Sequence, residues 1–528
     1  VILQRIGNRG LFLGALFDDA ARRHPYLKIT LDHELDVAPE LGNELTVYAC
    51  ANLVAELASA LRELNVRPGD KVAIYKQDSF DIFLLACAVS RIGAVPVALS
   101  PALKGEIVDK LLDRCDWPYL ITDQSKLADE LPPRVRKRAR GVLLVSGKAA
   151  GAKQLKRDHE AVHFPFTRPK PGQPMLLTHT SGTTDVPKLA VHTARTLRAR
   201  YRPQAAGVRL LVRGRETVAM HVSFVHSRLV TALAIALRRG FPMVIVRDAD
   251  PKRVADIFAD TRPGILEAHP NTFVQWEELA DDPRAPLANV RLLSSTFDAI
   301  HPRTVLKILG ASKRHRPAHV QLYGQSEIGP TVGRATSLRR VASSDGRCVG
   351  FPFPGMTAVR VVSRDGNPPS AQNPGYVEVR SDGRALTYFG EDERYRGQLD
   401  NDWWRMGDVG HRTKWGCLHV SDREVDVIDG FGSALEAEDV LMSRLDQLLE
   451  VVVIPGGDGA PTPVVVTRDG SPLDESQWRT ATADLPGMCP PVQLTLSELP
   501  RTATAKVQRL ELARILRSAQ DTAERGVK

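Results

Sequence analysis

Arg67-Pro68-Gly69-Asp70 leads into Val72-Ala73-Ile74-Tyr75; a longer apolar block, residues 80–92, stops at Gly93, and a short one, residues 95–99, follows at once. The Pro-Gly pair signals a turn, the unbroken short runs fit strands buried on both faces, and the longer block ended by glycine fits a helix. Strand, helix and strand in so short a stretch predict parallel pairing, so the fold class reads as α/β. Upstream, Leu53, Leu57, Leu61 and Leu64 keep helical spacing. Downstream, residues 142–145, 175–177, 218–220 and 243–246 read as further strands, and residues 229–237 as a helix ending at Gly240. From about Val359 the pattern turns to strand-like alternation, as in Tyr376-Val377-Glu378-Val379. A hairpin over residues 416–420 precedes an expected domain boundary near Arg423, and residues 425–528 read as a small α+β unit.

The chain has 528 residues, 43% hydrophobic and 25% charged, which suits a globular protein of more than one domain. No apolar run is long enough to span a membrane, and the first residues, with Arg5, Asn8 and Arg9, lack a signal-peptide core with its cleavage site. A cytoplasmic protein without a membrane partner is the expectation. Cys50, Cys87, Cys115, Cys348, Cys417 and Cys489 form no C-x-x-C pair and no zinc-ligand spacing, so free thiols in a reducing compartment are expected. The formal charge of +9 raises nucleic-acid binding as a function. The densest basic run, Arg134-Val135-Arg136-Lys137-Arg138-Ala139-Arg140, has no interleaved aromatics, however, and reads as a solvated face. No nucleic-acid partner is expected; a positive field still favours anionic ligands.

Thr180-Ser181-Gly182-Thr183-Thr184-Asp185-Val186-Pro187-Lys188 carries the first chemical signal, directly after the strand at 175–177. Hydroxyls, backbone amides and one lysine at a strand end suit a polyphosphate. The order is not that of a Walker A loop, and an ordinary Ser/Thr/Gly loop is the alternative. Four further segments follow: Tyr323-Gly324-Gln325-Ser326-Glu327, Trp404-Arg405-Met406-Gly407-Asp408, Ser421-Asp422-Arg423, and Arg501-Thr502-Ala503-Thr504-Ala505-Lys506-Val507. Together, in this order, they resemble the motifs of the adenylate-forming superfamily of acyl- and aryl-CoA ligases, peptide-synthetase adenylation domains and beetle luciferase, over nearly the whole chain.

The resemblance implies a large, multi-subdomain N-terminal α/β domain, 1–423, binding ATP and an acid. It also implies a small, mobile α+β C-terminal domain, 424–528, that carries a catalytic lysine. It assigns Thr180, Ser181, Gly182, Thr183, Thr184 and Lys188 to the phosphates, Tyr323 to adenine and Ser326 to a phosphate oxygen. Glu327 would hold Mg²⁺, Asp408 the ribose hydroxyls, and Arg423 the ribose or phosphate near the hinge. Lys506 would bridge the attacking oxyanion and the α-phosphate. Displacement at phosphorus builds negative charge that a metal and a lysine offset best in a closed, water-poor site.

Phe224-Val225-His226-Ser227-Arg228 resembles the family segment that lines the acid pocket, which makes His226 a catalytic and substrate-binding candidate; a core histidine is the alternative. Arg228 suits an anionic substrate group or a structural ion pair. Gly324 and Gln325 are expected in the pocket floor, and Phe297 against nucleotide or substrate or in the core. Asp185 and Leu189 depart from the family's phosphate loop, Ser295-Thr296-Phe297-Asp298-Ala299 from its adenine turn, and Val425, with Asp426, Val427, Ile428 and Asp429, from its hinge; Gly432 keeps the later glycine. The leading expectation is adenylation of an organic acid with pyrophosphate release and transfer to CoA or a carrier protein. One rival activates nitrite to diazotise an aromatic amine; another is a nucleotide-binding protein without catalysis.

Overall fold

A computed structural model describes residues 10–157, 166–180, 186–296, 298–428, 430–456, 460–502 and 506–526. Among them the strands form three sheets. The first orders Ala152–Gln154, Gly141–Leu144, Tyr119–Thr122, Lys71–Ile74, Val95–Ala98, Pro174–His179 and Leu189–Thr193. Its neighbours are parallel except the last pair. The second sheet has a parallel half, Lys28–Leu31, Met243–Ile245, Val218–His221, Ile265–Ala268, Leu292–Ser295 and Ala318–Gln325. Beyond Ala318–Gln325 every pairing is antiparallel, out through Leu418–Arg423 and Trp403–Arg412. The third joins Leu448–Pro455, Pro461–Thr467 and Val492–Gln493.

The unbroken apolar runs have a direct cause. Parallel strands covered on both faces have no solvent side, so alternation disappears. Helix Asp81–Arg91 is buried along its whole length, which explains why its block is apolar all round. It packs on helix Val47–Glu63, and one apolar cluster runs from Val72, Ile74 and Met175 of the first sheet to Ile29, Val218 and Met243 of the second. Phe80 anchors this layer, stacked on Phe83 at 5.7 Å and edge-on to Phe224 at 6.0 Å. Helix Ser227–Arg239 ends at Gly240, whose φ of 63° is the left-handed value a glycine cap supplies.

The basic run forms the short helix Arg134–Arg138. Val135 is buried beneath it, and its cations meet carboxylates: Arg134 pairs with Asp109, Arg138 with Asp113 at 3.4 Å, and Arg140 with Asp70 at 2.6 Å. No helix among the described residues is long and apolar enough to cross a membrane.

The cysteine expectation is corrected. Cys348 and Cys417, 69 residues apart, form a disulfide. Strands Cys348–Pro352 and Leu418–Arg423 are antiparallel neighbours, and that pairing brings the two residues together in a way spacing along the chain does not reveal. Cys50, Cys87 and Cys115 are buried thiols. Burial pushes the Cys50 thiol up to about 12 and that of Cys115 to about 11, so both are unreactive near neutrality. Alkylation of denatured, unreduced protein is therefore expected to label four of the six cysteines, and a peptide holding Cys348 to migrate with one holding Cys417. Six labelled thiols would contradict the pairing.

Candidate active site

Parallel strands release their C-terminal ends at one edge, where open α/β sheets place ligands. At this edge lie Thr180 after Pro174–His179, His269 after Ile265–Ala268, Thr296 after Leu292–Ser295, and the turn from Ala318–Gln325 into Gly329–Ser337. The Thr180 amide donates to the Lys188 carbonyl at 2.9 Å and closes the base of the phosphate-loop segment. Ser181, Gly182, Thr183, Thr184 and Asp185, and likewise Phe297 and Asp429, lie outside the described residues. The hydroxyls of Thr180 and Thr296 are buried with no partner among the described residues. Buried polar atoms are seldom left so in a site that holds nothing.

Lys188 and Glu327 meet through Tyr388. The Lys188 ammonium donates to the Tyr388 hydroxyl at 3.2 Å, which donates to Glu327 Oε1 at 2.6 Å; Lys188 lies 3.9 Å from the same carboxylate oxygen. Burial lowers the pKa of Lys188, and Glu327 opposes that shift; burial and Glu327 both raise the pKa of Tyr388, which stays a phenol. The carboxylate of Glu327 is buried, and hydrogen bonds among the described residues engage Oε1 alone. A hard divalent cation fits such a free carboxylate oxygen beside a phosphate site.

The next strand pair binds this centre to the chain's later segments. Tyr323 donates its hydroxyl to Asp408 Oδ2, and Asp408 Oδ1 lies 3.4 Å from Arg423, its cross-strand partner. Asp408 therefore lies between the candidate adenine residue and the start of the hinge. Gly324 is required by contact: a Cβ there would lie 2.1 Å from the Gly329 carbonyl oxygen. The Gln325 expectation changes. Its amide donates to the Met406 carbonyl and accepts from the Trp404 indole at 3.2 Å, so both ends are committed to strand Trp403–Arg412 and the side chain braces that strand.

His226 caps helix Ser227–Arg239. Its Nδ1 accepts from the Arg228 amide at 3.0 Å, and its Nε2 lies 3.1 Å from Ser326 Oγ. An accepting Nδ1 fixes the hydrogen on Nε2. Burial, with the charges of His269, Arg200 and others, holds the imidazole neutral well below the usual range. The arrangement suits orientation of Ser326 better than proton transfer. Arg228 forms a buried ion pair with Glu267, near the end of strand Ile265–Ala268. Buried His269, two residues on, is neutral too, its pKa pushed down to about 3 by burial, His221 and Lys506.

Lys506 comes from the far end of the chain and pairs with Thr502: Thr502 N donates to the Lys506 carbonyl at 2.8 Å, and the Lys506 amide donates to Thr502 Oγ1 at 3.2 Å. Burial lowers its pKa, while Asp298, Asp408 and Glu327 favour the charged form. The carboxyl-terminal segment is held against the second sheet by Arg303 on the Leu448 carbonyl at 2.8 Å, Arg468 with Glu277 at 3.0 Å, and Arg347 with Glu436 at 2.8 Å. At the hinge Val425 is 69% exposed, and Glu424 receives both Arg405 nitrogens at 2.9 and 3.0 Å.

Tyr388, Glu267 and His269 lie among these residues without a motif to announce them. For Glu267 and His269 the available signal was two polar residues closing the apolar run Ile265-Leu266-Glu267-Ala268-His269.

Residues 17–389 match the family described as AMP-binding enzyme. Over its whole length the chain is 48% identical to a 3-amino-2-hydroxy-4-methoxybenzoate diazotase from Streptomyces cremeus, covering 99% of that protein. It is 25% identical to an anthranilate–CoA ligase from Pseudomonas aeruginosa, over 92% of this chain and 94% of the relative. The fold matches the crystal structure of the anthranilate CoA ligase AuaEII in complex with anthranoyl-AMP, with TM-score 0.81, 20% identity, and coverage of 97% and 98%.

Removing the Tyr388 hydroxyl leaves a buried carboxylate and a partly buried ammonium each one hydrogen bond short. Such bonds to charged groups are worth about 1.5–3 kcal/mol. Tyr388→Phe is expected to raise the KM for ATP on the order of tenfold or more, read by steady-state pyrophosphate release; an unchanged KM would remove the hydroxyl from the site.

Proposed function

The chain belongs to the AMP-binding enzyme family, and from that premise we propose that this adenylate-forming enzyme activates nitrite with ATP and passes the nitrosyl group to an aromatic amine. The observation that carries the reading is the 48% identity to a diazotase, over 100% of this chain and 99% of that relative. An acid-activating reading, with CoA as acceptor, draws on the weaker similarity to an anthranilate–CoA ligase.

A nitrite oxygen attacks the α-phosphorus of ATP, pyrophosphate leaves, and a nitrosyl–AMP anhydride results. The amine nitrogen attacks the nitrosyl nitrogen, the N–O bond to AMP breaks, and one proton leaves the amine. The N-nitroso product then takes up a proton and loses water to give the diazonium ion. No strong base is needed in the first step, because nitrite is already ionised.

In this reading Lys188 and Lys506 offset charge on the phosphates and on the attacking oxygen, where burial strengthens both. Glu327 holds Mg²⁺, which when bound supplies further positive charge against the triphosphate. Asp408 takes the ribose hydroxyls, Arg423 stands beside it, and Tyr323 faces adenine; Ser326, oriented by His226, bonds a phosphate oxygen. Residues 1–423 then form the nucleotide and substrate domain, and residues 424–528 a lid that brings Lys506 in and excludes water from an anhydride that hydrolyses readily. CoA has no role in it.

AMP release from ATP and Mg²⁺ is expected to require nitrite and to proceed without any added carboxylic acid or CoA. Release that needs a carboxylic acid and ignores nitrite would overturn the reading. Lys506 supplies a second expectation. Only the ammonium form offsets phosphate charge, and burial holds its pKa below the ordinary lysine value of 10.5. The rate is therefore full below that lowered pKa and falls as pH rises through it. The alkaline limb should lie below pH 10.5 and vanish in Lys506→Arg, because arginine stays charged above pH ~12. A limb unmoved by that exchange would assign the titration elsewhere.

A further inference from the structure

Arg228 and Glu267 are 7% and 8% exposed at the side chain and form an ion pair through Arg228 Nη2. That contact leaves Nε and Nη1 of the guanidinium with no hydrogen-bond partner among the described residues. Glu267 Oε1 meets the guanidinium as an ion pair without an aligned hydrogen bond. A buried guanidinium serving structure alone spends its donors on carbonyls and hydroxyls. Arg200, buried on the neighbouring helix, places Nε on the Gly383 carbonyl at 2.6 Å and Nη1 on Ser227 Oγ at 2.9 Å, and only its Nη2 lacks a partner among the described residues. A buried donor left unmade is costly, so two on one side chain point to a ligand that completes them.

The position agrees. Arg228 donates its amide to His226, and His226 touches Ser326 of the candidate phosphate turn. Glu267 lies two residues before His269, which feels the charge of Lys506. The pair is therefore connected through His226 to the candidate phosphate turn.

We propose that Arg228 and Glu267 together recognise an aromatic ring carrying both a carboxylate and a primary amine. The free guanidinium nitrogens donate to the carboxylate, and Glu267 accepts an N–H from the amine, which turns the nitrogen lone pair toward the activated nitrite. The inference rests on the nitrite reading. Were the acid itself activated, its carboxylate would lie at the α-phosphate beside Lys506, and Arg228 would have no anion to meet. Arg228 keeps its bond to Glu267 while it receives the substrate, so the ion pair also fixes the spacing between the two recognised groups.

The test uses the full chain with ATP, Mg²⁺ and nitrite at neutral pH, with 3-aminobenzoate and aniline as probes and the diazonium ion trapped by coupling to a naphthol. Wild type is expected to favour 3-aminobenzoate over aniline in kcat/KM by ~100-fold, the scale of a charge-assisted hydrogen-bonded pair. Arg228→Met should bring the two probes within a few-fold, chiefly through a higher KM for 3-aminobenzoate, and Arg228→Lys should restore part of the preference. Glu267→Gln should lower kcat/KM for both amines and leave their ratio in place. A wild-type enzyme indifferent to the carboxylate overturns the inference without any variant, and so does a preference that survives Arg228→Met. AMP formation that does not depend on nitrite with either amine overturns the nitrite reading as well, which separates the two failures.

Discussion

Glu327 is the charge around which the site is assembled. Its carboxylate is buried, and a buried charge persists only with partners. Its two partners among the described residues come from elsewhere in the chain, Lys188 from the edge of the first sheet and Tyr388 from the segment that bridges back to that sheet at Ala190, while the turn between two strands of the second sheet presents Glu327 itself. The two sheets are thus tied by one hydrogen-bonded chain of lysine, phenol and carboxylate, in addition to the apolar layer between them. The same turn carries Ser326, and the strand leading into it carries Tyr323, so what fixes Glu327 also constrains the residues that face Asp408 and His226.

The charges around this centre are graded. Histidines 226 and 269 are kept neutral by burial and by nearby cations, which leaves the positive charge on Lys188, Lys506, Arg228 and Arg423. A site that neutralises its imidazoles and keeps its ammonium and guanidinium groups is suited to anionic phosphate chemistry and poorly suited to general base catalysis. The carboxyl-terminal segment that carries Lys506 is held by ion pairs and a carbonyl hydrogen bond on a partly exposed surface. Exposed pairs of that kind are individually weak, which is consistent with a segment that closes and reopens.

Much of the architecture was legible because burial leaves a plain mark. The strands at 71–74, 95–98 and 243–245 were apolar without alternation, and helix Asp81–Arg91 was apolar all round, since each is covered on every side. The motif residues Lys188, Tyr323, Ser326, Glu327, Asp408, Arg423 and Lys506 were legible through resemblance, and their contacts or fields converge. What was hidden depends on long-range pairing. Cys348 and Cys417 meet only because two distant strands are neighbours, and Tyr388 meets Glu327 only through the turn of the antiparallel half. Gln325 looked like a pocket residue from its motif, yet its amide is committed to strand Trp403–Arg412. Arg228 carried two readings in sequence, and only the position of Glu267 shows that the ion pair leaves donors over.

The central claim is that nitrite oxygen bonds to the α-phosphorus before the amine attacks nitrogen. Turnover of [¹⁸O₂]nitrite with unlabelled ATP and an aromatic amine, followed by mass spectrometry of the AMP, tests this directly. One ¹⁸O per AMP formed is the predicted result, because the N–O bond breaks and the bridging oxygen stays on phosphorus. AMP without label, formed at the same rate as diazonium product, would contradict it.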